Sequence, residues 1–263
     1  MEPLLKLCER AARAGGEVLL DFQDRIVGRE KGPRDLVSDA DLASQRCIRE
    51  ILMRDYPEYG FLGEEDDPAA SHTSDTECRW IVDPLDGTTN YLHRLQTFAV
   101  VIALQKKGEI VAGVVFDPVA KECFTAEKGK GAWLNGKPLR TSNCQIAESA
   151  LVAASFAPVV PRDSIEIVRF VEALQACQAI RRLGSAALNL AYVAAGRLDA
   201  YWATSVKIWD IAAGVLIVSE AGGVVSNIQG GPLYLARPEL LASASESLNQ
   251  ELVTVLNRQP PLP

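Results

Sequence analysis

Apolar positions set the outline of the chain. Leu4, Leu7, Cys8, Ala11, Ala12, Val18, Leu19 and Phe22 recur at helical spacing, which predicts an amphipathic helix over residues 4–22. Gly15-Gly16 weakens it without forcing a break. Gly28 to Arg34, containing Lys31-Gly32-Pro33, reads as a polar turn region. A second helical pattern, with Leu42, Ile48, Ile51 and Leu52, follows Ser38-Asp39-Ala40-Asp41, where Ser38 and Asp41 have the spacing of a capping box. Residues 66–79 are acidic and irregular and read as a loop, with His72 a solvated histidine within it. Trp80-Ile81-Val82 reads as the end of a buried strand.

From Phe98 to Arg140 the pattern changes to strands. Residues 98–104 and 110–116 flank Lys106-Lys107-Gly108-Glu109 as a hairpin, and 122–126 and 132–134 extend it into an antiparallel meander. From Ser149 onward, strands at 151–154, 179–183, 198–202 and 240–244 alternate with helices at 163–178, 185–196, 211–221 and 247–256. A meander followed by alternation implies layered sheets and helices. Residues 1–263 are expected to form one domain, with halves of about 1–145 and 146–263.

Composition narrows the function. Apolar residues make up 48% of the 263, ample for a core. A formal charge of −7 argues against a nucleic-acid-binding surface, but not against small anions, because bound divalent cations reverse the sign locally. The six cysteines are scattered without a CxxC pair and read as reduced thiols. With only His72 and His93, a histidine-rich zinc site is not expected. No basic leader or membrane-length apolar run is visible, so a cytoplasmic, soluble protein without membrane partners is expected.

The chemistry concentrates in Asp83-Pro84-Leu85-Asp86-Gly87-Thr88-Thr89-Asn90. Two carboxylates sit three positions apart around a proline that lacks an N–H, so the backbone is expected to leave the ladder there and free a carbonyl such as that of Leu85. Gly87-Thr88-Thr89 adds backbone N–H groups and hydroxyls. Acids for a cation beside amides for an anion suit a metal–phosphate pair, although an ordinary Asp/Gly/Asn turn has the same composition.

The wider pattern decides between these readings. Gly63-Glu64-Glu65, the 83–90 stretch and Trp209-Asp210-Ile211-Ala212-Ala213-Gly214 resemble the signature set of the inositol monophosphatase family, GEE, DPxDGTxN and WDxAAG, in order and spacing. Lys31 through Asp35-Leu36-Val37-Ser38-Asp39-Ala40-Asp41 resembles the family's K…D-x-V-T/S-x-x-D segment. The resemblance covers nearly the whole chain. It implies an αβαβα layered sandwich, a homodimer, sensitivity to lithium, and Mg²⁺-dependent hydrolysis of a small phosphorylated metabolite by a metal-activated water. Two or three ions are implied, with Mn²⁺ a possible substitute. Glu64, Asp83 and the Leu85 carbonyl would hold one ion, and Asp83, Asp86 and Asp210 another. Thr88, paired with Asp41, would orient the water, with Glu65 assisting. Asp86, Gly87, Thr88, Ser185, Ala186 and Asp210 would contact substrate, and Lys31 would steady a water or an acid. From the residues alone, Asp41 reads as a helix-start acid, and Asp210 reads also as an N-cap, Glu65 as a solvated loop acid and Lys31 as a surface lysine.

Two departures bear on this. A haloacid-dehalogenase-like site would place its acids two apart, not three. Family inositol monophosphatases commonly carry a Glu seven residues before the WD aspartate, where this chain has Ala203, followed by Thr204 and Ser205. Inositol 1-phosphate or a related polyol phosphate is the substrate the resemblance implies. Fructose 1,6-bisphosphate, histidinol phosphate and 3′-phosphoadenosine compounds are the alternatives within the same chemistry, and a non-catalytic interaction protein is the alternative outside it.

Overall fold

The computed structural model describes residues 2–23, 28–32, 35–66, 76–237 and 239–258. Its first layer is a helix pair, α1 (Glu2–Phe22) and α2 (Asp39–Asp55). Between them in sequence lies a short antiparallel hairpin, β1 (Gly28–Gly32) and β2 (Asp35–Ser38), where the polar sequence suggested only a turn. The second layer holds β3 (Gly60–Gly63), β4 (Cys78–Asp86), β5 (Ala99–Lys106), β6 (Glu109–Asp117), β7 (Glu122–Glu127), β8 (Gly131–Leu134) and β9 (Lys137–Pro138). They form one sheet in sequence order, with β3 parallel to β4 and every later neighbour antiparallel.

A middle layer of two helices follows, α5 (Ala186–Ala194) and α6 (Ile208–Glu220). Beyond them lies a five-stranded sheet made of β10 (Leu151–Ser155), β11 (Ala179–Arg181), β12 (Ala200–Ala203), β13 (Val224–Ser226) and β14 (Leu240–Ser243), in the order β11-β10-β12-β14-β13. Helices α4 (Ile165–Ala176) and α7 (Glu246–Leu256) cover its far side. The architecture is the αβαβα sandwich. The connector between the halves is pinned: Thr141 donates its N–H to Ala221 O at 3.2 Å and its hydroxyl to Ala244 O at 3.0 Å.

Period-two alternation builds two cores from one sheet. Trp80, Val82, Val100, Ile102 and Leu104 cluster with the apolar face of α1 and α2, while Ile81, Ala99, Val101 and Ala103 cluster with α5 and α6. A third cluster joins Val152, Ala154, Ala200 and Trp202 to Ala173 of α4 and Leu248, Leu252 and Leu256 of α7. Gly15-Gly16 leaves α1 unbroken because both face close neighbours: a Cβ would meet Ile48 Cδ1 at 2.7 Å from Gly15, and Phe116 Cε1 at 2.7 Å from Gly16.

The middle layer is tight because its residues are small. A Cβ on Gly113 would lie 2.9 Å from Ala213 Cα, and one on Gly214 only 2.5 Å from Leu190 Cδ1. Ala213-Gly214 thus lets α6 slide between β6 and α5, and this brings Asp210 to the sheet ends. Gly113→Val should lower unfolding stability by about 1–3 kcal/mol, read as a lower denaturant midpoint, because the clash is with backbone.

Candidate active site

The site begins where β4 is irregular. Its pairing with β5 runs to Asp83↔Val101, skips Pro84 and Leu85, and resumes at Asp86↔Ala99. The strand therefore bulges at Pro84 and continues, instead of ending there. Ser44 donates to Pro84 O at 3.2 Å, and Leu85 N–H donates to Asp83 Oδ1 at 2.9 Å. The bulge places two acids within one short segment of the sheet end.

Gly87 follows with φ 99°, and a Cβ there would press on Thr97 O at 3.0 Å and Gly184 O at 3.3 Å. Only glycine meets both demands. The next residues form a one-turn helix, α3 (Thr88–Leu92), instead of an open turn. Asn90 Nδ2 donates to Thr97 O and to Leu183 O, both at 2.7 Å, and so clamps this stretch to the turn preceding α5. That docking brings Ser185 to Asp86. Ser185 Oγ donates to Asp86 Oδ2, joined by the N–H groups of Ala187 (2.8 Å, Oδ2) and Ala186 (3.2 Å, Oδ1). Asp86 is thereby held at the N-terminus of α5, where the helix dipole favours a carboxylate.

The acids strain against their surroundings. Burial raises the pKa of Asp83 well above the usual carboxylate range, and the charges of Glu64, Asp86 and Asp210 add to the rise. Burial pushes Asp86 up to about 6 against the pull of Ser185, Ala187 and Ala186. Asp210 is raised by burial and by Asp86, and lowered by the Lys207 N–H; some of its surface still reaches solvent. Among the described residues no three His, Cys, Asp or Glu stand in finished coordination geometry. Asp83 Oδ1, Asp86 and Asp210 Oδ2 are instead turned toward backbone N–H groups. Nevertheless the charges of Glu64 and Asp86 reach both Asp83 and Asp210 and raise their pKa values, and such a buried anionic cluster needs protons or a cation. The donors are all oxygen, which fits Mg²⁺ and not a soft metal.

The other predicted residues fall around this cluster. Asp41 is fully buried and does two jobs: Oδ2 accepts from Ser38 N–H at 2.9 Å and from Ser38 Oγ, and Oδ1 accepts from Thr88 Oγ1 at 3.3 Å. One carboxylate thus caps α2 and reaches Thr88 at the same time. Thr88 Oγ1 also lies 3.1 Å from Leu85 O. Glu65 N–H donates to Gln45 Oε1 at 3.0 Å. Lys31 lies in β1, but its side chain is outside the described residues, as is His72. Asp210 does not begin its helix. The helix starts two residues earlier with Lys207 as the cap, and Asp210 accepts the Lys207 N–H at 2.7 Å from the third helical position. The apolar run Ile208-Trp209 carries the helix back past the acid. Ala203 is the buried last residue of β12, and Thr204 next to it donates to Glu166 of α4.

Sequence reasoning missed Asn90, Gln45 and Asp66. Gln45 and Arg49 of α2 both hold Asp66, whose Oδ2 accepts the Gly63 N–H at 2.9 Å, and this fixes the turn that carries Glu64 and Glu65. Asn90 closes the DPxDGTxN string, so its place in the motif was the available signal. Gln45 and Asp66 left none, because their partners lie about twenty residues apart in sequence.

The profile of the inositol monophosphatase family matches residues 1–260. The chain belongs to that family. A Rhizobium meliloti protein named inositol-1-monophosphatase is 43% identical over 95% of this chain and 94% of its own. A Pseudomonas aeruginosa protein named Nus factor SuhB is 38% identical over 99% of this chain and 98% of its own. The solved structure of an inositol monophosphatase from Anabaena superposes with a TM-score of 0.87 at 34% identity, covering 99% of this chain and 98% of that one. The family is generally Mg²⁺-dependent, in line with the oxygen-only donor set.

Because the folded-state pKa of Asp83 is raised, its ionisation weakens the metal-free fold once the pH exceeds the unfolded carboxylate value, and the penalty is in force at pH 7. Asp83→Asn should therefore stabilise the metal-stripped chain at pH 7 by about 1–2 kcal/mol, measured by thermal or urea unfolding. A loss of stability would show that the charge of Asp83 is compensated within the fold.

Proposed function

We propose that the chain is a Mg²⁺-dependent phosphatase acting on a small phosphate monoester. The observation that carries this reading is the convergence of Glu64, Asp83, Asp86 and Asp210, from three separate stretches of sequence, beside the Thr88–Asp41 pair. Bound Mg²⁺ screens the phosphate dianion, lowers the pKa of a water and stabilises the leaving oxygen. Glu64, Asp83, the Leu85 carbonyl, Asp86 and Asp210 supply its ligands, as two or three ions that Mn²⁺ can replace. Thr88 would orient the attacking water and, in taking its proton, pass its own hydroxyl proton to the Asp41 carboxylate, with Glu65 assisting. The N–H groups of Gly87 and Thr88 receive phosphate oxygens, with Ser185 and Ala186 beside them. Residues 1–263 act as one unit, supported by a middle core that draws on both halves.

The relatives named Nus factor SuhB favour a second reading, in which the fold serves as a factor with or without turnover. The small-molecule reading therefore carries no exclusion of nucleic acid. Turnover separates the two. Purified protein should hydrolyse at least one small phosphate monoester, lose that activity in EDTA and regain it with Mg²⁺; turnover indifferent to chelation would overturn the assignment.

The water-orienting unit has its own test. Thr88→Ala and Asp41→Asn should each lower kcat by about 10²-fold or more. The double variant should cost little beyond the worse single one. Multiplicative losses would leave Asp41 as a helix cap alone.

Ala203 governs the substrate. A carboxylate facing a polyol accepts hydroxyl donors, and a methyl group accepts none. Thr204 is already committed to Glu166. Ala203→Glu should raise kcat/KM for inositol 1-phosphate, chiefly through KM, relative to p-nitrophenyl phosphate. An unchanged ratio in an enzyme already efficient on inositol 1-phosphate would place substrate reading elsewhere.

A further inference from the structure

Behind the acids lies a second polar group of side chains that the proposed chemistry does not use. Asn189 of α5 and Tyr201 of β12 are both fully buried in the middle core, among alanines, leucines and valines. Neither the two amide atoms of Asn189 nor the Tyr201 hydroxyl makes a hydrogen bond of full distance and angle among the described residues, although Ser155 and Asn189 both approach the phenol. Leaving such groups unmatched is costly, and leucine and phenylalanine would fill nearly the same space without that cost.

Their placement is specific. Asn189 lies one helical turn beyond Ser185, and its N–H donates to Ser185 O at 3.2 Å. Residues so spaced share a helix face, which puts the carboxamide beneath the hydroxyl that holds Asp86. Tyr201 shares its face of β12 with Ala203, and both belong to the cluster lining α5 and α6. The charges of Asp86 and Asp210 both act on the phenol, and Ser155 and Asn189 also lie close enough to influence it. Thus polar groups from α5, β12 and β10 meet directly behind two of the proposed metal ligands.

We propose that Asn189 and Tyr201 are positioning residues for the acid site: with Ser155 they bind one buried water, and its hydrogen bonds brace the Ser185–Asp86 pair and Asp210 in the orientation that receives Mg²⁺. The proposal rests on the metal-site reading above. A buried water of this kind takes about three hydrogen bonds from polar groups, and the unmatched Asn189 and Tyr201 side chains, with the Ser155 hydroxyl beside them, supply them. Groups that orient metal ligands set affinity without touching the ion, and losing one typically costs about 10–100-fold.

The test is calorimetric titration of metal-stripped wild type, Tyr201→Phe and Asn189→Leu with Mg²⁺ alone, beside the thermal midpoint of each in EDTA. Both variants should weaken Mg²⁺ binding by about 10-fold, while their metal-free midpoints stay level or rise. A purely structural role would lower the midpoints and leave affinity alone. Unchanged affinity in a folded variant overturns the proposal, as does a loss of affinity that merely follows a loss of metal-free stability. Tyr201→Phe, which removes one oxygen, keeps the test open if Asn189→Leu does not fold. A wild-type chain that binds no Mg²⁺ fails the metal-site reading itself, and the wild-type titration distinguishes that result from failure of this proposal.

Discussion

Repulsion among buried carboxylates is the constraint around which this molecule is built. Asp83 and Asp86 are almost removed from solvent, and Asp83 feels Glu64, Asp86 and Asp210 together. Like charges in a low-dielectric pocket would spread apart on a compliant backbone. They stay together because each is fixed by its own element. A bulge holds Asp83, the N-terminus of α5 holds Asp86, the first turn of α6 holds Asp210, and a turn tied to α2 holds Glu64.

The supports for these elements lie far from the acids themselves. Asn90 fastens the 83–90 stretch to Leu183, ninety-three residues away, and so delivers α5 to Asp86. Gly113 and Gly214 let α6 pass close between β6 and α5, and that approach delivers Asp210. Only a rigid layered scaffold can carry such a frustrated site, and strain of this sort marks function when it is concentrated in one place. The raised carboxylate pKa values and the stranded groups of Asn189 and Tyr201 lie in one continuous region, which ties the middle core to the site chemically as well as mechanically.

Much of this was legible in the sequence. The continuous apolar runs Trp80–Val82 and Phe98–Leu104 marked the central strands, and the three motifs marked the acids before any geometry was known. Legibility failed where local pattern and tertiary context disagree. β1 and β2 are too polar, and β13 too short, to show an apolar period. Pro84 suggested a strand end, but pairing resumes beyond it because the bulge absorbs the missing donor. Asp210 looked like a helix start because nothing in Lys207-Ile208-Trp209 announces a cap, yet its carboxylate serves the cap from within the helix. Partnerships such as Asn90 with Leu183, or Thr204 with Glu166, depend on layers meeting in space and leave no trace in spacing.

The central claim is that the acid cluster is incomplete without a divalent cation. It is tested most directly by the thermal midpoint of metal-stripped protein at pH 7, titrated with Mg²⁺ at constant ionic strength. A ligand that binds only the folded state raises stability by about 2.7 kcal/mol at a hundredfold excess over its dissociation constant. The account predicts a saturable rise of several degrees that Na⁺ at matched ionic strength does not reproduce. A midpoint that does not respond to Mg²⁺, in a chain that folds normally without it, would contradict the account.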